Sequence, residues 1–259
     1  DAGVGRLPAP EEIARRALAV LDSSGAGAPD LPLAGRTVLV TAGGTREPID
    51  PVRFLGNKSS GRQGIAIATA AAEAGARVRV IAANVDASVM ASLPPSVDVT
   101  RVGSTLEMRE AALRQAIDAD ALVMTAAVAD FRPEEAQAGK IKKDPSTSDA
   151  PLLRLVRNPD ILSEIGHGQC RPRLVVGFAA ETGTDEEILA YGADKAARKG
   201  ADFIALNRVG SGVGFGDVPN DVRLLDASGT IVGRYSGSKD EVAGGLVAQM
   251  AAFLDNLER

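Results

Sequence analysis

The residues best suited to chemistry lie in one stretch, Val38–Gly64, which reads VLVTAGGTREPIDPVRFLGNKSSGRQG. It begins as an apolar strand, passes through a glycine turn into a polar loop broken by proline, and ends in a glycine-rich turn that opens a helix. The chain has a net charge of -5, so a basic loop at the mouth of a strand indicates a site for a phosphorylated ligand. The loop's basic and hydrogen-bonding residues are Arg46, Arg53, Asn57, Lys58, Ser59, Ser60 and Arg62.

The end of this stretch, Ser59–Gly64, precedes the first long helix and allows two interpretations. In the first, the serines cap the helix and the glycines, Gly61 among them, only help packing. In the second, the free N–H groups at the helix start bind an anion. The neighbouring cations Arg53, Lys58 and Arg62 favour the anion.

Three predicted strand ends carry small or polar residues. In an open parallel sheet, ligands bind beyond the carboxyl ends of the strands. Small residues at such an end let a ligand approach the backbone closely. The three segments are Thr41–Thr45, which contains Gly43, then Ala126–Phe131 and Gly177–Thr182.

Two lysine pairs could offset the charge of a nucleotide triphosphate. Lys195 and Lys199 lie four residues apart and share a helix face. Lys140 and Lys142 share a face if their segment is extended. A solvated face is the more common reason for a pair like Lys195 and Lys199, so that interpretation stays open beside the ligand role.

The region Phe131–Pro151 is predicted to be irregular and interrupts the regular alternation of elements. A long charged loop inside a compact domain is more often functional than idle. Soon after it comes Asn158–Leu162, which predicts a helix start with Asn158 as the cap and Pro159 in the first turn. A ligand role for this turn is left open in addition.

The sequence yields neither a nucleophile–base set nor a metal cluster. His167 is the only histidine and Cys170 the only cysteine, and neither has a suitable partner beside it in sequence. Tyr191 and Lys195 fit the Tyr-x-x-x-Lys pattern of short-chain dehydrogenases, which makes an NAD(P)-dependent oxidoreductase a second hypothesis. A dinucleotide fingerprint, however, needs a glycine loop that leads straight into a helix, and here a long polar loop intervenes.

Apolar runs that alternate with helical stretches must position these residues. The alternation predicts an α/β fold, a Rossmann-like parallel sheet covered by helices on both faces. After residue 207 we expect a glycine-rich loop, a C-terminal β-hairpin over Val222–Asp226 and Ile231–Tyr235, and a closing helix with an apolar stripe. The predicted strands are Thr37–Thr41, Val78–Ala82, Ala121–Thr125, Leu174–Phe178 and Phe203–Leu206, and the predicted helices lie around Gly61–Ala74, Leu106–Ile117 and Glu186–Lys199.

The first 34 residues form a separate part in this interpretation. An irregular start precedes a short helix with Ile13, Ala17 and Val20 on one face, and Ser23–Pro32 has the composition of a linker. We therefore expect a tail over residues 1–34 and a domain over residues 35–259. Because the chain begins at Asp1 without an initiator methionine, we expect a fragment or a processed product.

Composition argues against several classes of function. With 45% hydrophobic and 24% charged residues, the chain is typical of a soluble globular protein. The net charge of -5 and an aromatic content of 3% without Trp give no reason to expect nucleic acid as a partner. No apolar run approaches a membrane span and no signal segment opens the chain. We expect a cytoplasmic setting, since a lone cysteine allows no intrachain disulfide.

Several of these segments together resemble phosphopantothenoylcysteine synthetase, the ligase of coenzyme A biosynthesis. The blocks appear in the family's order and span Thr41 to Asn207, so the match is specific. The first residues resemble the tail of the flavin-dependent decarboxylase half, which carries FMN in the bifunctional bacterial protein. The matching blocks are TAGGTREPIDPVRFLGNKSSGRQG, AAVADFRP, KIKK, RNPDIL, VVGFAAET and KAARKGADFIALN.

The resemblance implies a two-step reaction. The carboxylate of 4′-phosphopantothenate attacks the α-phosphate of CTP, which gives an acyl-cytidylate and pyrophosphate. The amine of L-cysteine then forms the amide and expels CMP. Mg²⁺ is expected with the nucleotide, although its ligands are not identified, and both steps need positioning and charge neutralisation more than a protein nucleophile.

The resemblance also assigns roles to residues. Asn57 is implied to hold the acyl intermediate, Arg53 to support the same loop, and Lys140 to stabilise charge in the second step. The implied substrate-binding residues are Gly43, Ser59, Ser60, Gly61, Arg62, Ala126 and Ala127. The implied nucleotide-binding residues are Asp130, Lys140, Pro159, Asp160, Ile161, Leu162, Phe178, Lys195 and Lys199.

Two small departures from the family pattern remove no catalytic group. Gly44 stands where the family has proline, and Lys58 where it has histidine. The resemblance further implies a homodimer that uses the C-terminal hairpin region. A third hypothesis is a non-catalytic partner domain of the flavin decarboxylase.

Overall fold

One eight-stranded sheet is the centre of the molecule. The computed structural model of the chain describes residues 31–143, 146, 150–181, 192, 194–208 and 220–259. Two further pairs of strands, β2 with β3 and β7 with β8, form small sheets of their own. The strands are β1 (Thr37–Gly43), β2 (Arg46–Asp50), β3 (Arg53–Gly56), β4 (Arg77–Ala83), β5 (Asp98–Val102), β6 (Ala121–Met124), β7 (Phe131–Pro133), β8 (Leu155–Arg157), β9 (Leu174–Glu181), β10 (Phe203–Arg208), β11 (Asn220–Asp226) and β12 (Ile231–Gly237).

The strand order of the large sheet is β12-β11-β10-β9-β6-β1-β4-β5. The strands from β5 to β10 pair in parallel, whereas β10 with β11 and β11 with β12 pair antiparallel. The chain builds outward from β1 to β5 on one side and then returns to place β6 on the other side of β1. This reversal between β1 and β6 creates the crevice in which open α/β sheets bind ligands.

Helices cover both faces of the sheet and bury two apolar clusters. Helices α1 and α5 pack on one face, where the core includes Ile67, Val80 and Leu246. Helices α3 and α4 pack on the other, around Leu39, Met108 and Ile165. The helices are α1 (Arg62–Glu73), α2 (Ala87–Met90), α3 (Thr105–Ala116), α4 (Ile161–Gly166) and α5 (Lys239–Asn256), and residues 194–199 are also helical.

The predicted fold class is confirmed, together with all five predicted strands of the parallel sheet. The C-terminal hairpin and closing helix are confirmed as β11, β12 and α5. Phe203 of β10 meets Phe253 of α5 edge to face, with ring centroids 5.1 Å apart, which fixes the closing helix against the sheet. Edge strand β5 was not predicted, because its half-exposed sequence lacks a continuous apolar run.

Two segments that were predicted to be irregular contain short strands. The polar segment after β1 folds into β2 and β3, which pair from Arg46 opposite Gly56. The start of the Phe131–Pro151 region is strand β7, which pairs with β8. The first prediction was wrong, and the second was wrong for residues 131–133 but agrees with residues 134–143, which have no assigned helix or strand. The strands were missed because each has five residues or fewer and owes its pairing to a partner strand rather than to its own pattern.

Some predictions lie outside the described residues: the short N-terminal helix, the glycine-rich loop over 209–219, and Tyr191. The boundary at residue 35 stays a prediction, but Leu33 is fully buried and its N–H donates to Ala74 O at 2.9 Å. Leu33 therefore already belongs to the core of the domain. Within the described part of the chain, no helix has the length and apolar content needed to cross a bilayer.

Candidate functional site

The crevice between β1 and β6 is built from backbone. Past the strand ends, Ala127 N donates to Gly43 O at 2.8 Å and Thr45 N donates to Ala127 O at 3.3 Å, so the ladder continues into the loops. Gly43 has φ of 88°, and a Cβ placed there would lie 2.0 Å from Ala83 O. Only glycine fits this position, and the peptide groups of the crevice are fixed by their neighbours.

A cavity of about 180 Å³ opens from this crevice. It collects seven of the residues that the sequence assigns to substrate or nucleotide: Ser59, Ser60, Gly61, Arg62, Ala126, Ala127 and Phe178. The predicted loop and two of the predicted strand ends therefore meet at one place. Such a convergence is what the rule for ligand binding at strand ends requires.

The start of α1, which borders this cavity, differs from the predicted serine cap. Gly61 occupies the cap position with φ of 77° and makes no side-chain capping bond. Ser59 instead accepts a hydrogen bond from Gly61 N at 3.3 Å, outside the helix. The serine-cap interpretation is wrong, because the left-handed glycine turns the serines away from the first-turn N–H groups. These N–H groups suit an anion.

One wall of the cavity is polar and was not predicted. Asn220 Nδ2 donates to Gln63 Oε1 at 2.7 Å, and Lys239 Nζ donates to Asn220 Oδ1 at 3.1 Å. Asn207 also lines the cavity, and its Oδ1 is buried without a hydrogen-bond partner, the only such side-chain atom among the described residues. Asn207 follows the apolar run of β10, so the strand-end rule could have found it. Nothing in the sequence around Lys239 indicates a role in this site, because its helix lies far along the chain from the loop at Ser59–Gly64.

Asn57 lies on the loop after β3 and reaches across to the β6 side of the crevice. Its Nδ2 donates to Val128 O at 3.0 Å. The loop can approach this closely because Gly44 has no side chain: a Cβ there would lie 2.9 Å from Asn57 O. Glycine at position 44 therefore leaves the space that the Asn57 backbone occupies.

A buried polar chain supports the β6 loop from behind. Glu47, only 1% exposed, accepts hydrogen bonds from Thr105 N at 2.9 Å and Thr105 Oγ1 at 2.7 Å. Thr105 and Thr45 share a hydrogen bond of 3.0 Å, and Thr45 Oγ1 accepts from Ala129 N at 2.9 Å. This chain fixes the backbone between Ala126 and Asp130 to the start of α3.

The predicted nucleotide residues around α4 form a second group. Asn158 N donates to Asp130 O at 2.8 Å, and Asn158 Nδ2 donates to Ala129 O at 2.8 Å. Asn158 is therefore not the helix cap, and that prediction was wrong. Asp160 is the cap and accepts from Ser163 N at 3.1 Å, so Pro159 precedes the cap, and the prediction that placed it in the first turn was also wrong. The Asn158 amide cannot cap the helix because it is already committed to the β6 loop.

Asp160 also forms an ion pair with Lys199, whose side chain is 15% exposed. Burial would raise the pKa of Asp160, but the Lys199 ammonium and the Ser163 N–H outweigh it and hold this pKa below its usual range. Ile161 and Leu162 are buried in the core, so only their backbone could reach a ligand. Lys195 is partly exposed on the helical segment that carries Lys199.

A third group surrounds Lys140, which is exposed. Arg53 Nη1 donates to Asp50 Oδ2 at 2.8 Å and to Ile141 O at 3.3 Å. The described bonds of Arg53 thus run to Asp50 and the Lys140 segment rather than to Asn57. Arg53 and Lys140 both lie outside the described lining of the cavity.

The described residues do not form a cage for Mg²⁺. No three His, Cys, Asp or Glu side chains among them lie close enough together to hold a metal ion. Asp160 is engaged by Lys199, and Asp130 is a second exposed carboxylate of this region. Mg²⁺ commonly binds through substrate phosphates with one or two carboxylates, so an ion could arrive with a nucleotide.

Comparison with known proteins agrees with this architecture. The family model of the DNA/pantothenate metabolism flavoprotein C-terminal domain matches residues 33–254. The coenzyme A biosynthesis bifunctional protein CoaBC of Mycobacterium tuberculosis is 45% identical over 260 residues, which cover 98% of this chain and 60% of that protein. The chain thus spans less than two thirds of this relative.

Two solved structures are similar. The crystal structure of the C-terminal domain of a CoaBC protein has 31% identity and a TM-score of 0.70, and covers 87% of this chain and 99% of its own. A Cab2 mutant in complex with phosphopantothenate-cysteine has a TM-score of 0.65 over 97% of both chains, and at 15% identity it shows the fold alone. With the family model matched over most of its length, the chain belongs to the DNA/pantothenate metabolism flavoprotein C-terminal domain family.

Proposed function

We propose that the chain is a phosphopantothenate–cysteine ligase of coenzyme A biosynthesis that uses CTP. The observation that carries the proposal is the crevice between β1 and β6, where an uncapped helix start, a clamped asparagine and a fixed backbone meet. CoaBC relatives act in coenzyme A biosynthesis, and Cab2 has been seen with phosphopantothenate-cysteine, which supports this choice.

The proposed chemistry has two steps. A carboxylate oxygen of 4′-phosphopantothenate forms a bond to the α-phosphorus of CTP, and the bond from that phosphorus to the β-phosphate oxygen breaks, so pyrophosphate leaves with the electron pair. The cysteine nitrogen then forms a bond to the acyl carbon. The acyl C–O bond breaks, CMP leaves with the electron pair, and the amine loses a proton. Neither step requires a protein nucleophile.

In this proposal the α1 start and its neighbours hold the phosphopantothenate, with its phosphate on the first-turn N–H groups. Asn57, fixed by Val128, faces the acyl group and retains the intermediate. Lys140 stabilises charge that develops as CMP leaves, and Arg53 supports its segment. The nucleotide contacts come from Asp130, residues 159–162 with the backbone of Ile161 and Leu162, Phe178, Lys195 and Lys199, and Mg²⁺ accompanies the phosphates.

The assembly is part of the proposal. We expect a homodimer, and a fusion to an FMN-carrying decarboxylase domain in the longer protein, located in the cytoplasm. Exposed large apolar side chains lie on the two small sheets, with Phe54 at 53% and Phe131 at 47% exposure, whereas the described residues of the C-terminal hairpin include none. Light scattering coupled to gel filtration tests the dimer, and a monomer at micromolar concentration would contradict it.

The ligase proposal is tested by pyrophosphate release from 4′-phosphopantothenate, CTP, Mg²⁺ and L-cysteine. We expect release with CTP before cysteine is added, and amide only after. Replacing CTP by ATP in the same assay measures base preference. A folded protein without turnover would overturn the proposal. Activity of this chain alone would exclude the non-catalytic partner hypothesis.

Among the described residues, no structural observation favours the oxidoreductase hypothesis. The hairpin of β2 and β3 follows β1, so the glycine turn does not lead directly into a helix as a dinucleotide fingerprint requires. Tyr191 of the Tyr-x-x-x-Lys pattern lies outside the described residues. Fluorescence titration with NADPH tests this hypothesis directly.

A further inference from the structure

Asp50, the last residue of β2, is a buried carboxylate whose two oxygens serve different partners. It is 4% exposed. Oδ1 accepts hydrogen bonds from Val52 N and Arg53 N, each at 2.9 Å, and so closes the turn between β2 and β3. Oδ2 accepts from Arg53 Nη1 at 2.8 Å and from Ile141 N at 3.1 Å. One oxygen holds the hairpin turn, and the other holds a segment 91 residues away in sequence.

The segment that Oδ2 holds has few other supports. Residues 134–140 are exposed, and no helix or strand is assigned to residues 134–143. Gln137 N donates to Ile49 O at 2.9 Å, which fixes the segment one residue before Asp50 in β2. Ile141 is then held through both of its backbone groups, because its N–H donates to Asp50 and its carbonyl accepts from Arg53.

Lys140 immediately precedes Ile141 in the sequence. The bond accepted by Asp50 therefore fixes the backbone from which the Lys140 side chain projects, whereas that side chain is exposed. A hydrogen bond to a buried carboxylate is stronger than one between neutral groups, so Asp50 is the strongest described support of this backbone.

We propose that Asp50 is a positioning residue that sets the place of the Lys140 backbone through the Ile141 amide and thereby supports the amide-forming step. The proposal rests on the proposed ligase function. It adds a residue that touches neither substrate nor nucleotide in the assignment above. Arg53 belongs to the same unit, since its guanidinium bridges Asp50 and Ile141 O.

The substitution Asp50→Asn tests the role of Oδ2 separately from that of Oδ1. With its carbonyl oxygen in the place of Oδ1, asparagine can still accept from Val52 N and Arg53 N and keep the turn. The amide nitrogen in the place of Oδ2 is a donor and cannot accept from Ile141 N or Arg53 Nη1. Ile141→Pro removes the donor of the same bond from the other side. Asp118→Asn, at an exposed carboxylate paired with Arg79, is the matched control.

Two readouts are needed. Hydrogen exchange of the Ile141 amide measures the tether directly, and single-turnover assays separate cytidylate formation from amide formation. For Asp50→Asn we expect loss of Ile141 protection and an amide-forming rate lower by about tenfold or more, with cytidylate formation within about threefold of wild type. Ile141→Pro should reproduce the kinetic split, and Asp118→Asn should leave both steps unchanged.

Unchanged protection of Ile141 in a folded Asp50→Asn protein would overturn the proposal, and so would faster exchange with a normal amide-forming rate. An equal loss in both steps would also overturn it, because that result describes a general structural defect. If the wild-type chain makes no cytidylate at all, the ligase function fails instead, and the exchange measurement still shows whether Asp50 holds the segment.

Discussion

The crevice between β1 and β6 and the segment around Lys140 are positioned by different means. In the crevice, peptide groups continue the ladder of a central sheet, and a glycine with positive φ fills a space that admits no side chain. The Lys140 segment depends on three hydrogen bonds to the β2–β3 hairpin, two of which involve Asp50 or Arg53. The first region is held by the fold, the second by one buried carboxylate and its partner.

This difference predicts how each region fails. A change in the backbone packing of the crevice, such as one at Gly43, should act on folding or on every step that uses the substrate, because this backbone belongs to the sheet. A change at the tether should leave the fold intact and affect one step. Substitutions in the two regions therefore provide a test of the comparison itself.

Gly43→Ala should have the largest effect. The new Cβ would meet Ala83 O at 2.0 Å and Val85 Cγ2 at 2.6 Å, at a φ of 88°. Strain at this φ costs about 1–2 kcal/mol, and crowding adds about 1–3 kcal/mol. Urea unfolding should show that the unfolding free energy falls by about 2–5 kcal/mol, the sum of these two contributions.

Gly35→Ala is the control for Gly43→Ala. Gly35 has φ of 76° but nothing lies within 4 Å of its added Cβ, so only the backbone strain of about 1–2 kcal/mol remains. Equal losses of unfolding free energy in the two variants would show that the crevice is not closely packed.

Asn57→Asp comes next and acts within the crevice without crowding it. Aspartate cannot donate to Val128 O, and two oxygens would face each other across what is now a 3.0 Å bond. We expect cytidylate to form but the amide-forming rate to fall by about 10–100-fold, as the intermediate is lost or misplaced. Rapid-quench analysis of the two products measures this. Asn256→Asp, exposed at the end of α5, is the matched control, and a normal amide-forming rate in Asn57→Asp would exclude the assigned role.

Sequence reasoning found the crevice better than the tether, for a physical reason. Strand ends in a parallel sheet converge by topology, so Gly43, Ala126 and Phe178 could be placed together from their positions after apolar runs. Asp50 carries no such signal, since its partner Ile141 is 91 residues away and lies in a segment to which no helix or strand is assigned. The cap was assigned to Asn158 instead of Asp160 because both side chains cap helices equally well, and only tertiary contacts decide between them.

Lys140→Gln tests the tethered side of the comparison. We expect the amide-forming rate to fall by about tenfold with the unfolding free energy unchanged, because Lys140 is exposed and acts only through its charge. Lys142→Gln, two residues on and also exposed, changes the same net charge and should keep the rate within about twofold. Equal losses of the amide-forming rate in both variants would mean that the summed positive charge of the lysine tract supports this step. The particular position of Lys140 would then not matter.

The smallest expected effect is a difference in pH dependence. Burial would raise the pKa of Asp50, but the N–H groups of Val52 and Ile141 and the Arg53 guanidinium outweigh it and hold this pKa below its ordinary value. A carboxyl group with a lowered pKa stabilises the fold fully above its ordinary pKa of about 3.9, and this stabilisation is lost as the pH falls through the lowered value.

The difference in unfolding free energy between wild type and Asp50→Asn should therefore be constant from pH 7 to about pH 5 and shrink below about pH 4. No acidic residue is among the described residues that line the crevice cavity, so a variant there, such as Ala127→Gly, should differ from wild type by the same amount at every pH. Urea unfolding across this range measures both differences. A difference for Asp50→Asn that persists unchanged to pH 3 would mean that its charge does not hold the segment, and the contrast between the two regions would then be one of packing alone.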